Sequence, residues 1–315
     1  MLSSSLSKLQ PENKNLVLIV GPTGVGKSAT AFRLAQAVGG EIISCDSMQV
    51  YRGFDIGTDK PPAGDRRIIP YHLLDILDGS TPFTAADFAA GAFDAILAIL
   101  GRNRVPIIVG GTGLYFKALL DGLFPGPGRD EPFRRALAEE ARLRGLEALF
   151  ERLKAVDPAY AAKIGPRDRV RIFRALEVQA LTGIPISVHF ARTESRVRDF
   201  ATVKVGLQLE SKELYRRIES RLDRMFEQGL VGEVESLLSS GVAESAPPFR
   251  ALGYRHVLRC LKQEITLAEA VTLTKIDTRH YAKRQMTWFR KMPGIRWFSP
   301  DEFAPILGFV KGQIV

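Results

Sequence analysis

The apolar positions of the chain fall into two alternating patterns. LVLIV at 16–20, EIISC at 41–45 and VPIIVGG at 105–111 are short, nearly unbroken apolar runs. Such runs read as strands buried on both faces, as in a parallel sheet. Between them the spacing turns helical, over 28–38, closed by Gly39 and Gly40, and over 84–100, with Thr84 placed as N-cap. Repeated strand, helix and strand predict an α/β fold, a parallel sheet flanked by helices. The pattern breaks at FPGPGRDEP, 124–132, a linker by composition, and from 133 to about 183 only helices are predicted. Alternation at Val203, Val205, Leu207 and Leu209 restores strand character, helices follow, and IRWF at 295–298 reads as a last strand. The expected organisation is a flexible tail at 1–15 and a core at 16–125 and 201–300 that ends in a basic helical arm. A helical insertion at 126–200 interrupts this core, and 301–315 is a C-terminal tail. No internal repeat is visible.

Composition sharpens this picture in two ways. The 315 residues are 45% hydrophobic and 25% charged, enough for a sizeable core. Two cysteines, Cys45 and Cys260, make neither a disulfide framework nor a metal cluster. The opening MLSSSLSKLQPENKN has no apolar run behind its few charges, and no window has the length and purity of a membrane span. A cytoplasmic monomer with no membrane partner is expected.

The net charge of +9 is concentrated. Residues 250–296 hold eleven Lys and Arg against three acids, nearly the whole excess. In TRHYAKRQMTWFRK, from 278, Arg279, Lys283 and Arg290 fall near one helical line, with His280, Arg284 and Lys291 beside it and Trp288 and Phe289 between the charges. Such a face suits a nucleic-acid backbone; the plainer reading is a solvated helix surface. Shorter arginine stripes occur at Arg217, Arg221 and Arg224, and at Arg167, Arg171 and Arg174. Each is either an ion-pair stripe or a set of phosphate contacts.

The chemistry begins at GPTGVGKS, residues 21–28. It fits G-x-x-x-x-G-K-[ST] between a predicted strand and a predicted helix, which makes it a phosphate-binding P-loop. Gly21 and Gly26 let backbone N–H groups wrap an anion, Lys27 supplies a point charge, and the Ser28 hydroxyl can ligate Mg²⁺. Nucleotide binding, ATP above all, goes with this loop type. Nucleoside triphosphatases, however, carry an acid at the end of a buried strand, and here that strand ends in Gly110 and Gly111. HLLDILD at 72–78 offers Asp75 or Asp78 instead, but lacks a β-branched run. Asp46, delivered by the second strand to the carboxyl edge where ligands gather, either binds metal, takes a proton from a nucleophile, or caps the next turn. A phosphate loop, a nearby acid and a polyanion-binding arm describe a nucleic-acid-modifying transferase with a diphosphate co-substrate. A small-molecule kinase would leave the arm idle, and an RNA-stimulated ATPase would release phosphate.

GPTGVGKS at 21, DSMQVYRGFDIGTDKP at 46, GGTGLYFKALLDGL at 110, RALEV at 174, ALGYR at 251 and TRHYAKRQMTWFR at 278 run through the chain in order. Together they resemble the tRNA dimethylallyltransferase (tRNA isopentenyltransferase) family. The resemblance implies transfer of a dimethylallyl group from dimethylallyl diphosphate to N6 of the adenine 3′ of the anticodon, in the anticodon stem-loop. It implies Asp46 as general base, with Thr23, Lys27 and Arg221 completing the catalytic set. Gly21, Pro22, Thr23, Gly24, Val25, Gly26, Lys27, Ser28 and Arg221 would hold the diphosphate. Asp46, Ser47, Met48 and Gln49 would meet the target base. Thr112, Arg134, the run Val170, Arg171, Ile172, Phe173 and Arg174, then Arg250, Gly253, Tyr254 and Arg255, and in the arm Arg279, Lys283, Arg284, Gln285 and Arg290 would contact tRNA. The sequence departs from the family pattern at Gly24-Val25, usually Ala-Ser, at Phe54, usually Met, and at Asp59, usually Ala.

Overall fold

The computed structural model describes residues 14–124 and 126–314. Among these, six strands form one sheet: β1 (Asn15–Val20), β2 (Gly40–Cys45), β3 (Tyr71–His72), β4 (Val105–Gly110), β5 (Ala201–Leu207) and β6 (Ile295–Phe298). Helices α1 (Lys27–Val38), α2 (Ala63–Ile68), α3 (Ala85–Leu100) and α4 (Gly113–Asp121) lie between β1 and the insertion. The insertion holds α5 (Glu131–Arg144), α6 (Leu146–Val156), α7 (Pro158–Ala161), α8 (Arg169–Thr182) and α9 (Ile186–Ala191). After β5 come α10 (Ser211–Glu227), α11 (Leu230–Ser239), α12 (Leu252–Leu261), α13 (Leu267–Phe289) and α14 (Phe303–Ile314). No helix among the described residues is long and apolar enough to cross a membrane.

The sheet order is β3-β2-β4-β1-β5-β6, and every pairing is parallel. This explains the unbroken apolar runs. β1 sits between β4 and β5, and Leu16 through Val20 are each wholly buried. A strand covered on both faces has no polar side to alternate with. All six strands point their carboxyl ends the same way, so the loops that follow β1, β2 and β4 gather at one edge. Helix α3 starts where the sequence placed it. The Thr84 hydroxyl accepts from the Asp87 N–H, and the Asp87 carboxylate accepts from the Thr84 N–H, a reciprocal cap.

Two expectations change, and the disfavoured alternative at HLLDILD falls away. Of the expected tail at 301–315, Phe303–Ile314 form a helix. Helix α14 buries Ile306 and Val310 against the core, with Phe303 and Leu307 beside them, an apolar stripe at helical spacing. Strand β5 begins at Ala201, paired with Asn15, and ends at Leu207 rather than at 209. HLLDILD does not form a strand beyond His72. Asp75 turns to Lys60 and Arg66, and Asp78 to Arg52, so neither serves as a strand-end acid. Of the expected tail at 1–15, residues 1–13 lie outside the described residues, and Asn15 already belongs to β1.

The chain divides into two compact units. One comprises residues up to Leu120 and from Arg196 onward; the other is Asp121–Ser195, where composition had marked 126–200. The later return is displaced because Val197 and Phe200 are already buried ahead of β5. The helical unit has its own core around Leu149, Leu153, Ile172 and Leu176. At its centre Glu177, wholly buried, accepts from Arg134 at 2.7 Å, from Arg174 at 2.8 Å and from the Asp130 N–H at 2.9 Å. Burial pushes this carboxyl up, and the hydrogen bonds outweigh burial, bringing it down to about 2 from 4.5. A depressed carboxylate contributes stability that is complete above its unfolded value and lost as pH falls through the folded one. Glu177→Gln is therefore expected to destabilise this unit at neutral pH by about 3 kcal/mol. Hydrogen exchange of α5 and α8 measures it, and in the wild type the same protection should fade between pH 4.5 and 2.

Candidate active site

The phosphate loop leaves β1 at Gly21 and enters α1 at Lys27. Gly26 has φ +105°, a left-handed conformation that glycine adopts at little cost, and this turn brings the chain into the helix. No side chain caps α1, so its first N–H groups lack a side-chain partner, and Gly26, Lys27, Ser28 and Ala29 line a cavity there. The cavity is about 610 Å³.

Lys27 folds back and donates to the Pro22 carbonyl at 2.8 Å. Burial, then the nearby Arg221 cation, pull its ammonium down to about 8. Arg221, on α10, donates to the Thr23 hydroxyl at 2.8 Å through one terminal nitrogen and to Asp59 at 3.0 Å through the other. Its Nε is buried without a hydrogen-bond partner. Two cations and an uncapped helix start thus line one cavity, an arrangement that favours an anion there.

Asp46 follows β2 and lines the same cavity. Its Oδ1 accepts from the Met48 N–H at 2.8 Å. Burial raises its pKa, and the Met48 N–H and Lys27 only partly oppose this. A carboxylate so placed is a better proton acceptor than a solvated one. Ser47, Met48 and Gln49 also line the cavity, but the Gln49 amide is already committed. It accepts from Ser44 and donates to the carbonyls of Thr58 and Asp59. Leu222, Met225 and Leu230 supply an apolar wall, which sequence reading missed although two of them follow Arg221 within about one turn of α10. Tyr281 and Thr278 from α13 line it too. The Thr112 hydroxyl is buried beside the Tyr281 phenol.

Helix α13 carries a correction. Gln285 does not face solvent; it is 6% exposed. Its side chain accepts from the Thr23 N–H at 2.8 Å and donates to the Gly111 carbonyl at 2.9 Å. The helix comes so close that a Cβ on Gly111 would meet the Gln285 amide at 2.1 Å, and one on Gly113 the Trp288 ring at 2.3 Å. Gly111 and Gly113 serve this approach, and Gln285 is spent on the phosphate loop. Other positions assigned to RNA also point inward. Ile172 and Phe173 belong to the core of the helical unit, and Arg134 and Arg174 are held by Glu177. Tyr254 is buried and donates to Glu233 at 2.5 Å. A run of consecutive helical residues necessarily includes core-facing ones. Val170 and Arg171 are exposed, and Arg250 and Gly253 line the cavity.

Part of the arm's charge is internally matched. Arg279 pairs with Glu219 at 3.1 Å, Lys275 with Asp223 at 2.5 Å, and Arg255 with Asp277. Lys283, Arg284 and Arg290 are exposed, and among the described residues none has an ion-pair partner. Arg284 also lines the cavity.

The family described as IPP transferase matches residues 49–292, and that described as isopentenyl transferase matches residues 14–67. A tRNA dimethylallyltransferase of Geobacter metallireducens is 48% identical over 304 residues, 96% of this chain and 98% of its own. The tRNA dimethylallyltransferase 2 of Geotalea uraniireducens is 50% identical over 94% of this chain and 96% of its own. Among solved structures, the full-length tRNA isopentenylpyrophosphate transferase of Bacillus halodurans superposes with TM-score 0.71 at 40% identity, over 96% and 97% of the two chains. A eukaryotic dimethylallyltransferase acting on tRNA does so with TM-score 0.71 at 29% identity, over 95% of this chain and 72% of that one.

Proposed function

The chain belongs to the IPP transferase family, and on that premise we propose how its residues carry out dimethylallyl transfer to tRNA. The donor is dimethylallyl diphosphate and the acceptor is N6 of the adenine 3′ of the anticodon. One observation carries this reading: a single cavity joins an anion cradle, an apolar wall and a buried carboxylate. The diphosphate lies against Lys27, Arg221 and the N–H groups at the start of α1, and the five-carbon group against Leu222, Met225 and Leu230. As the C1–O bond breaks, its electron pair passes to the diphosphate. The cradle is preorganised for this growing charge, which is where electrostatic help counts most. The N6 lone pair forms the new C–N bond, and Asp46 takes the N6 proton.

Mg²⁺ fits the site in a limited sense. Ser28 is exposed in the cavity at the start of α1, and no cluster of three His, Cys, Asp or Glu is present among the described residues. Ser28 would hold the ion together with diphosphate oxygens and water, a common arrangement for Mg²⁺, and the ion would neutralise the leaving group. The adenine must leave its stack to reach Asp46.

The protein acts as a monomer, gripping the anticodon stem-loop through Lys283, Arg284 and Arg290. Contacts to phosphate carry no sequence information directly. Lys283→Ala should weaken all substrate tRNAs alike and lower the slope of log affinity against log salt by about 0.7–0.9. Arg279→Ala, whose guanidinium is matched by Glu219, should change that slope less. A salt titration of the two variants side by side decides between them. The function itself is tested by incubating protein, tRNA, Mg²⁺ and dimethylallyl diphosphate and weighing the nucleosides. Absence of a C₅H₈ gain on adenosine, or vigorous ATP hydrolysis in its place, would sink the reading.

A further inference from the structure

Asp59 puts a negative charge beside the guanidinium assigned to the diphosphate. It lines the cavity, and its carboxylate lies 3.0 Å from Arg221. The backbone holds it there. Asp59 has φ +56°, a left-handed conformation that Asp tolerates better than most side chains. Its N–H donates to the Ile56 carbonyl at 3.1 Å, and its own carbonyl accepts from Gln49 at 3.1 Å. The next residue, Lys60, is an anchor. Its side chain is 1% exposed and donates to the Tyr51 carbonyl, to Asp55 at 2.7 Å and to Asp75. Lys60 is thus spent elsewhere, and Arg221 is the ion-pair partner of Asp59. The field of Asp59 also reaches Lys27.

Arg221 has three kinds of donor nitrogen. One serves Thr23, one serves Asp59, and Nε is buried with none. An incoming diphosphate needs the same guanidinium and carries the same sign as Asp59. Hydrogen bonds to both its backbone groups hold Asp59 at this position, which keeps its carboxylate within reach of Arg221.

We propose that Asp59 is a built-in counter-anion of the cradle: it competes with the diphosphate for Arg221 and so sets the affinity for diphosphate, on the donor and on the released product alike. This rests on the proposed function above. Its use would be turnover, since a cradle strong enough to stabilise a departing diphosphate also retains it. With the Asp59 side chain 52% exposed, screening keeps the effect modest, about three- to tenfold.

The test is calorimetric titration with inorganic diphosphate, which needs no RNA. Asp59→Asn keeps the side-chain size and tolerates the left-handed backbone. Asp59→Gly removes the side chain and tolerates it better still. Both variants should bind diphosphate about three- to tenfold tighter than wild type, with the gap narrowing at high salt. KM for dimethylallyl diphosphate should fall by the same factor. Unchanged affinity in both would overturn the proposal and make Asp59 a solvated surface charge. Weaker binding would overturn it in the opposite sense, because Asp59 would then be holding Arg221 in place for the ligand. Failure of the prenyl-transfer assay on wild type, with diphosphate binding intact, would count against the proposed function alone.

Discussion

Asp46→Asn is expected to lower the single-turnover rate by about 10²–10⁴, the usual scale for lost acid–base help, with diphosphate and tRNA affinity little changed. The exocyclic amine of adenine is a weak nucleophile, since its lone pair is drawn into the ring. As the C–N bond forms, its N–H becomes strongly acidic and needs an acceptor in place. Asp46 is fixed for this by the Met48 N–H and lines the cavity shared with the cradle. Asn keeps that shape and still accepts from Met48, so the loss isolates the proton step. The pH profile adds a second readout. Burial raises the Asp46 pKa, and the base works only when ionised. The wild-type rate should therefore fall as pH drops through a value above the ordinary 3.8, and the variant should lack that acid limb. A variant of near-wild-type rate would remove Asp46 from the chemistry.

Lys27→Ala and Arg221→Ala should each cost about 10²–10³ in the transfer step, by analogy with removing one donor from a preorganised anion site. Charge accumulates on the diphosphate while the C1–O bond stretches, so the loss should appear in kcat as well as in KM. Lys27 adds a pH signature. With its ammonium drawn down to about 8 by burial and Arg221, diphosphate affinity should weaken as pH rises through that value. A bound anion raises the lysine pKa in turn, so the weakening sets in near 8 and levels off only above the lysine's higher value in the complex. Lys27→Arg should flatten this dependence, because guanidinium stays charged. Titrations with inorganic diphosphate at pH 7 and 9 check it. A loss confined to tRNA binding in either alanine variant would move that residue to the RNA surface.

The parallel core was legible because burial on both faces leaves unbroken apolar runs, and β1, β2 and β4 carry them. β3 was not, because two residues, Tyr71 and His72, have no period to detect. Helix α14 was passed over behind Pro300, although Phe303, Ile306, Leu307 and Val310 repeat at three and four. Within the site, the loop and Asp46 could be named from residue type and position, whereas Arg221 was one of a stripe and only the family resemblance singled it out. Gln285 was misplaced because its neighbours, Arg284 and Met286, are not buried, and only the rotation of α13 turns it inward. Asp59 was visible as an unusual residue, but its pairing with Arg221 joins positions 162 apart, which no local pattern encodes.

The bond between Thr23 and Gln285 spans 262 positions, and this has a consequence for biosynthesis. The ribosome releases the phosphate loop early, yet β1 has no β5 beside it, Arg221 is unmade, and the Thr23 N–H has no acceptor until α13 emerges. At about 5–20 residues per second, this leaves a gap of roughly 10–50 s. Through that interval the nascent chain carries the motif without the cradle, and a half-open sheet whose apolar β1 edge awaits its partner. A fragment stopped at residue 195 should reproduce this state, containing all of GPTGVGKS and retaining no diphosphate.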